Sequence, residues 1–189
     1  MTQANKDQNS WADSSGGETF PKLWRFAFPD LYAHLIFWPV LALGVLADLF
    51  SKKIVFERLS RSGSVGILDG ILKFVMAENT GAAFGIAAGR RFMLVATSVI
   101  ALAGAIVIVL VSGTKQRLVQ FALALFAAGV SGNLYDRIFN DGRVRDFIDV
   151  MYWPSVHWPA FNLADSMLCI SVGLLIISTL RAQPKQATL

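Results

Sequence analysis

Four long apolar runs, separated by more polar connections, set the pattern of this chain. Leu31 to Phe50 is the first, interrupted by His34, Pro39 and Asp48. Phe92 to Ser112 is the second and carries no charge. The third, Leu118 to Ile138, is apolar up to Val130 and then turns polar as Ser131-Gly132-Asn133-Leu134-Tyr135-Asp136-Arg137. The fourth, Phe161 to Leu180, holds Asn162 and Asp165 in its first turns. About 20 mostly apolar residues cross a bilayer core. Backbone groups there must be bonded internally, so each run predicts a helix. The expected fold class is a mainly α membrane protein with four transmembrane helices.

The connections differ in kind. Gly113 to Arg117 is a tight turn, which makes spans two and three antiparallel neighbours. Lys52 to Arg91 is long enough to hold structure of its own. Within it, Ile71 to Ala77 predicts a strand before the turn-like Asn79-Thr80-Gly81. A small β-containing extramembrane element is therefore expected between spans one and two. Asn140 to Pro159 forms a third connection, with Trp153 and Trp158 suited to a membrane interface. Residues 1 to 20 are rich in Ser, Asn, Gln and Gly and predict disorder. Phe20 to Phe28, with Lys22, Trp24, Arg25 and Phe26, suits the membrane surface. The expected organisation is a polar extension over 1–30, a four-span unit over 31–181 and a tail over 182–189. No internal repeat is present.

Composition strengthens this picture. Hydrophobic residues make up 54% of the 189 and charged residues only 16%, against about 25% charged in soluble domains. The net charge of +4 does not form a nucleic-acid stripe. Its basic residues stand singly or in pairs beside apolar runs, where they meet headgroups. The single Cys169 rules out an internal disulfide. It has no basic neighbour within a helical turn, so it reads as packing or lipid-facing. His34 and His157 are far apart, which disfavours a His-rich metal site, and they read as interfacial. The polar first thirty residues do not resemble a secretory signal peptide, so the first run reads as a retained span.

Acids in or near membrane spans carry the candidate chemistry. An Asp at a helix centre costs roughly 2.5 to 3.5 kcal/mol even on the lenient insertion scale. Asn162 and Asp165 share one helix face, as do Asn133, Asp136 and Arg137. Two polar faces at matching depth make a site between helices, and the connection between them adds Asp146 and Asp149. Each residue also has a plainer reading. Asp165 favours a helix N-terminus, and an isolated Asp146 would be a surface loop acid. Asp149 is the rival to Asp146 and reads as structural. Asp136 and Arg137 suit an ion pair, and Asn79 suits a tight turn. Ser51 and Lys52 suit the end of a span, with Lys52 snorkelling to the interface.

Five segments in order resemble the bacterial lipoprotein signal peptidase (signal peptidase II) family. They are Asp48-Leu49-Phe50-Ser51-Lys52, Asn79 to Gly85, Gly132 to Arg137, Val144 to Asp149 and Phe161 to Ser166. The resemblance covers roughly residues 35 to 180. It implies an intramembrane aspartic peptidase whose catalytic pair falls on Asp146 and Asp165. Supporting positions fall on Asn79, Asn133, Arg137 and Asn162, and more loosely on Asp48, Lys52 and Gly81. The implied partners are lipid-modified prolipoprotein signal peptides and membrane lipid, with no nucleic acid and no cofactor, and the chain is expected to act as a monomer. Cleavage would fall just before the diacylglyceryl-modified cysteine. Two features depart from the family pattern: Leu49 stands where Gln is usual, and the polar N-terminal extension is longer.

The family implies cytoplasmic termini, with the site at the outer face of the bacterial inner membrane. Charge bias points the other way. Lys52, Lys53, Arg58, Arg61, Lys73, Arg90, Arg91, Arg137, Arg143 and Arg145, near the first and third connections, outnumber the other Lys and Arg. The family orientation is adopted, because five ordered motifs are more specific than a charge bias.

Two other function classes fit this pattern less well. A small transporter predicts polar residues near mid-membrane and broken helices, whereas here they cluster at span ends. A non-enzymatic scaffold predicts no convergence of acids. Ser131-Gly132 lacks a histidine placed for a serine triad.

Overall fold

The computed structural model describes residues 31–61, 63–81, 87–111, 116–153 and 156–182. The expected polar extension over 1–30 lies outside these residues. So do the tail beyond 182, most of the tight turn after span two and the Ala82 to Gly85 part of the second motif.

All four expected spans are helices. They are α1 (Leu31–Leu59), α2 (Arg91–Val111), α3 (Arg117–Phe139) and α4 (Leu163–Ala182). Each is long and apolar enough to cross a membrane, so the chain is a multi-pass membrane protein. The ends of α2 and α3 match the apolar runs closely. α1 does not end near Ser51 as expected but continues to Leu59. Its charged residues Asp48 and Lys52 are both fully buried and paired. A charge neutralised inside the protein gives the helix no reason to stop, so the snorkelling role expected for Lys52 is not what the structure shows.

The expected β element is present and larger than expected. β1 (Ser64–Leu68) and β2 (Leu72–Asn79) come from the first connection, and β3 (Val144–Trp153) and β4 (Val156–His157) from the third. They form one antiparallel sheet in the order β1-β2-β3-β4. β2 covers the strand expected over Ile71 to Ala77. The register sets Ala77 opposite Asp146 and Asn79 opposite Val144. Phe147 plugs the sheet onto α1, buried with Val55 and Leu59 and meeting Phe74 edge-to-face at 5.6 Å. The backbone of Phe161 bonds Phe147 and Ile148, which ties β3 to the start of α4.

α3 is the central helix and packs against α1, α2 and α4. Its small residues Ala122, Ala124, Ala127, Ala128, Gly129 and Gly132 are buried. Hydrophobic burial gives little drive between helices in lipid, so close van der Waals contact must hold them. Being shielded, α3 can also carry polar residues that a lipid-facing helix cannot. α2 shows the opposite character and exposes Phe92, Ile100, Val107 and Ile108 to the lipid side.

The α3–α4 contact depends on Gly129, where an added Cβ would sit 2.6 Å from the Ala164 carbonyl oxygen. Gly129→Ala is expected to lower unfolding stability in detergent by about 1–3 kcal/mol, the usual cost of overpacking. Gly104→Ala, which meets nothing within 4 Å, should leave stability unchanged or raise it. Chemical or thermal unfolding of both variants checks this.

Candidate active site

The polar residues singled out above converge where the ends of α1, α3 and α4 meet β3. Lys52 is the hub. A lysine ammonium has three N–H donors and no acceptor. Here they meet Asp48 Oδ2 at 2.7 Å, Asp136 Oδ2 at 3.1 Å and Asn133 Oδ1 at 3.1 Å. An unpaired buried ion costs several kcal/mol, so this pairing is what makes a buried lysine tolerable.

Each partner of Lys52 passes the constraint on. Asp48 Oδ1 accepts from the Ala164 N–H at 2.9 Å, satisfying a free donor in the first turn of α4. Its carboxylate reaches this position because residue 132 is glycine; a Cβ there would collide with Asp48. Asp136 accepts Arg145 through its side chain, at 2.6 and 3.1 Å, and through its backbone N–H at 3.0 Å. That fixes the start of β3 to α3. The ion pair expected between Asp136 and Arg137 does not form, because adjacent helical residues point in different directions. Arg137 instead donates to the Gly81 carbonyl at 2.9 Å.

Asp165 and Asn162 form a reciprocal cap on α4. The Asp165 N–H donates to Asn162 Oδ1 at 3.0 Å, and the Asn162 N–H donates to Asp165 Oδ2 at 3.1 Å. This is a capping box with Asp in place of Glu. Asn133 Nδ2 donates to the other Asp165 oxygen at 2.8 Å. Asn162 Nδ2 donates to Asp146 Oδ1 at 2.7 Å and to Asn133 Oδ1 at 3.1 Å. Asn162 thus bridges the two acids, one at the start of a helix and one on a strand.

Asp146 is 3% exposed. Burial, with the facing Asp165 carboxylate added, pushes its carboxyl up to about 7, against the pull of hydrogen bonds from Asn162 and Asn79 and of the Lys52 charge. Asn79 is both the expected turn residue and a site residue. Its Oδ1 accepts from the Gly81 N–H at 2.8 Å, and its side chain also bonds Asp146. The structure therefore brings together Asp146, Asp165, Asn79, Gly81, Asn133, Arg137, Asn162, Asp48 and Lys52. Asp149 lies apart, bonded to His157 at 2.7 Å and Lys73 at 3.3 Å, in keeping with its structural reading.

Sequence reading missed Arg145 and Gly132. Arg145 gave no signal, since its partner Asp136 lies on a helix and Arg145 on the strand that follows, so no helical or strand spacing pairs them. Gly132, beside two polar residues in an apolar span, hinted at a close approach.

Comparison with known proteins points to one family. The family model described as signal peptidase (SPase) II matches residues 40–181. A lipoprotein signal peptidase of Geobacter metallireducens is 35% identical over 157 residues, spanning 82% of this chain and 96% of its own length. One from Geobacter sulfurreducens is 36% identical over 157 residues, spanning 82% and 97%. A solved bacterial membrane enzyme superposes with a TM-score of 0.72 at 28% identity, covering 84% of this chain and 94% of that one.

The raised Asp146 carboxyl has a thermodynamic consequence. Below pH 4 it is protonated whether the chain is folded or unfolded, and it contributes nothing. As the pH rises to about 7 the unfolded chain loses this proton and the folded protein keeps it, so stability falls; above about 7 the whole penalty applies. Asp146→Asn should therefore raise unfolding stability at pH 8, by at most about 4 kcal/mol. The gain should vanish as the pH approaches 4, and unfolding across a pH series checks it.

Proposed function

The chain belongs to the signal peptidase II family, and from that premise we propose that it removes the signal peptide from diacylglyceryl-modified bacterial prolipoproteins. The cut falls just before the lipidated cysteine, and Asp146 and Asp165 are the catalytic pair. The observation that carries this reading is the bridge through Asn162, which holds two carboxyls from different elements in one hydrogen-bonded unit.

Two close carboxyls cannot cheaply both ionise, so they share one proton. The ionised one draws a proton from water as the water oxygen bonds the peptide carbonyl carbon. The protonated one gives its proton to the carbonyl oxygen. Asn79, Asn133 and Asn162 orient the acids, and Arg137 holds the Asn79–Gly81 turn in place through the Gly81 carbonyl. Lys52 and Asp48 anchor the floor. None of these steps requires a cofactor.

The substrate is a lipid as much as a peptide. Val150, Tyr152, Trp158 and Phe161 line an open apolar depression, and Phe161 directly precedes Asn162. Acyl chains lying against the spans would let the bilayer help position the scissile bond. The site lies at the outer face of the inner membrane, the termini are cytoplasmic, and the chain acts as a monomer.

Purified protein in detergent, given a diacylglyceryl-modified prolipoprotein, should release the signal peptide. Asp146→Asn and Asp165→Asn should each lower the cleavage rate by about 10²–10⁴-fold or more, the range supplied by acid–base catalysis. Normal cleavage by either variant would remove that residue from the catalytic pair.

A further inference from the structure

Resting on the catalytic pair proposed above, we infer that the shared proton sits on Asp146 and that Asp165 enters the reaction as the carboxylate base, an asymmetry set by the helix terminus and solvent at Asp165 and by the enclosure of Asp146 on its strand. Two amides beside the pair have fixed orientations. Asn133 faces the Lys52 ammonium at 3.1 Å. An ammonium has no acceptor, so the atom facing it must be the amide oxygen. Asn133 is therefore left with its NH₂ toward Asp165, at 2.8 Å. Asn162 is locked the same way. Its side chain faces the Asp165 backbone N–H at 3.0 Å, which can only donate. Its NH₂ must then point at Asp146 and at the Asn133 oxygen.

Both Asp165 oxygens consequently accept from N–H donors, one from Asn133 and one from the Asn162 backbone. Asp165 also sits in the first turn of α4, where the helix dipole favours negative charge, and is only half-buried. Asp146 accepts side-chain amides too, but from a strand and at 3% exposure. The two acids thus accept similar bonds, while the helix terminus and solvent favour charge on Asp165 alone.

The charged groups around Asp146 come from α1, α3, α4 and β3 itself, while β2, which pairs with β3, contributes the neutral Asn79. Lys52 comes from α1, Arg137 and Asp136 from α3, Asp165 from α4, and Arg145 precedes it on β3. Lys52 and Arg145 are both engaged by Asp136, and Lys52 also by Asp48. Arg137 acts on Asp165 as well as on Asp146. The raised Asp146 carboxyl, at about 7, agrees with this distribution.

The cycle then balances. Asp165 takes a proton from water while the water oxygen bonds the carbonyl carbon, and Asp146 gives its proton to the carbonyl oxygen. The resulting gem-diol returns one hydroxyl proton to Asp146 as the C=O bond reforms. Asp165 passes its proton to the departing nitrogen as the C–N bond breaks. One water is consumed, and both acids return to their starting states.

Infrared titration of the carboxylic-acid band tests this without needing cleavage activity, so it can fail independently of the proposed reaction. In the unmodified protein a band should disappear with a midpoint near the Asp146 value of about 7. It should be absent from Asp146→Asn. In Asp165→Asn it should persist with a lower midpoint, because the facing negative charge is gone. Persistence in Asp146→Asn with loss in Asp165→Asn overturns the assignment, as does loss in both or in neither.

Discussion

One ammonium group, fully buried and bonded to three oxygens, holds the working end of this protein together. Lys52 leaves the membrane-facing surface altogether and places its charge between α1 and α3. Such a charge is tolerated only if every donor is used and the sign is balanced. Asp48, Asp136 and Asn133 use the donors, and Arg145 balances the second carboxylate. Remove any charged partner and a charge is stranded in a low-dielectric interior; remove Asn133 and a buried donor goes unmet. The network is therefore constrained as a unit.

From that hub the geometry of the site follows outward. Asp48 takes up a free N–H at the start of α4, which sets the helix that carries Asp165. Asp136 holds Arg145, which sets the strand that carries Asp146. Asn133 connects the ammonium to Asp165 itself. The two acids are thus positioned by separate routes from one charge, and Asn162 closes the circuit between them. The small residues of α3 allow this, because Gly132 lets the Asp48 carboxylate reach the helix surface. The proposed catalytic pair needs its acids held in place at a membrane boundary, and a buried ionic scaffold does this.

The sequence made much of this legible, for identifiable reasons. Spans such as α2 were read almost to the residue because lipid demands an unbroken apolar run. Asn162 and Asp165 were placed on one face because helical spacing dictates it. The Asn-x-x-Asp spacing of the capping box was also there to be read, before an apolar run. Other features were not local. Lys52 enters the site only through the family resemblance, and its plainer reading is a snorkelling residue, since nothing in sequence ties it to Asp136 or Asn133. The ion pair drawn between Asp136 and Arg137 used sequence adjacency where the fold uses distance across α3 and β3. The strand carrying Asp146 was read only as a connection, because its partner β2 lies beyond two transmembrane helices.

Lys52 neutralises a shared buried network and does not simply end a span. A double-mutant cycle of Lys52→Met and Asp48→Asn, read by unfolding in mixed micelles, measures this coupling. Alone, Asp48→Asn should be destabilising, because it leaves an excess buried positive charge. In the Lys52→Met background it should be stabilising, because it restores neutrality with Asp136 and Arg145 still paired. An equal loss of stability in both backgrounds would mean that Lys52 and Asp48 are not coupled.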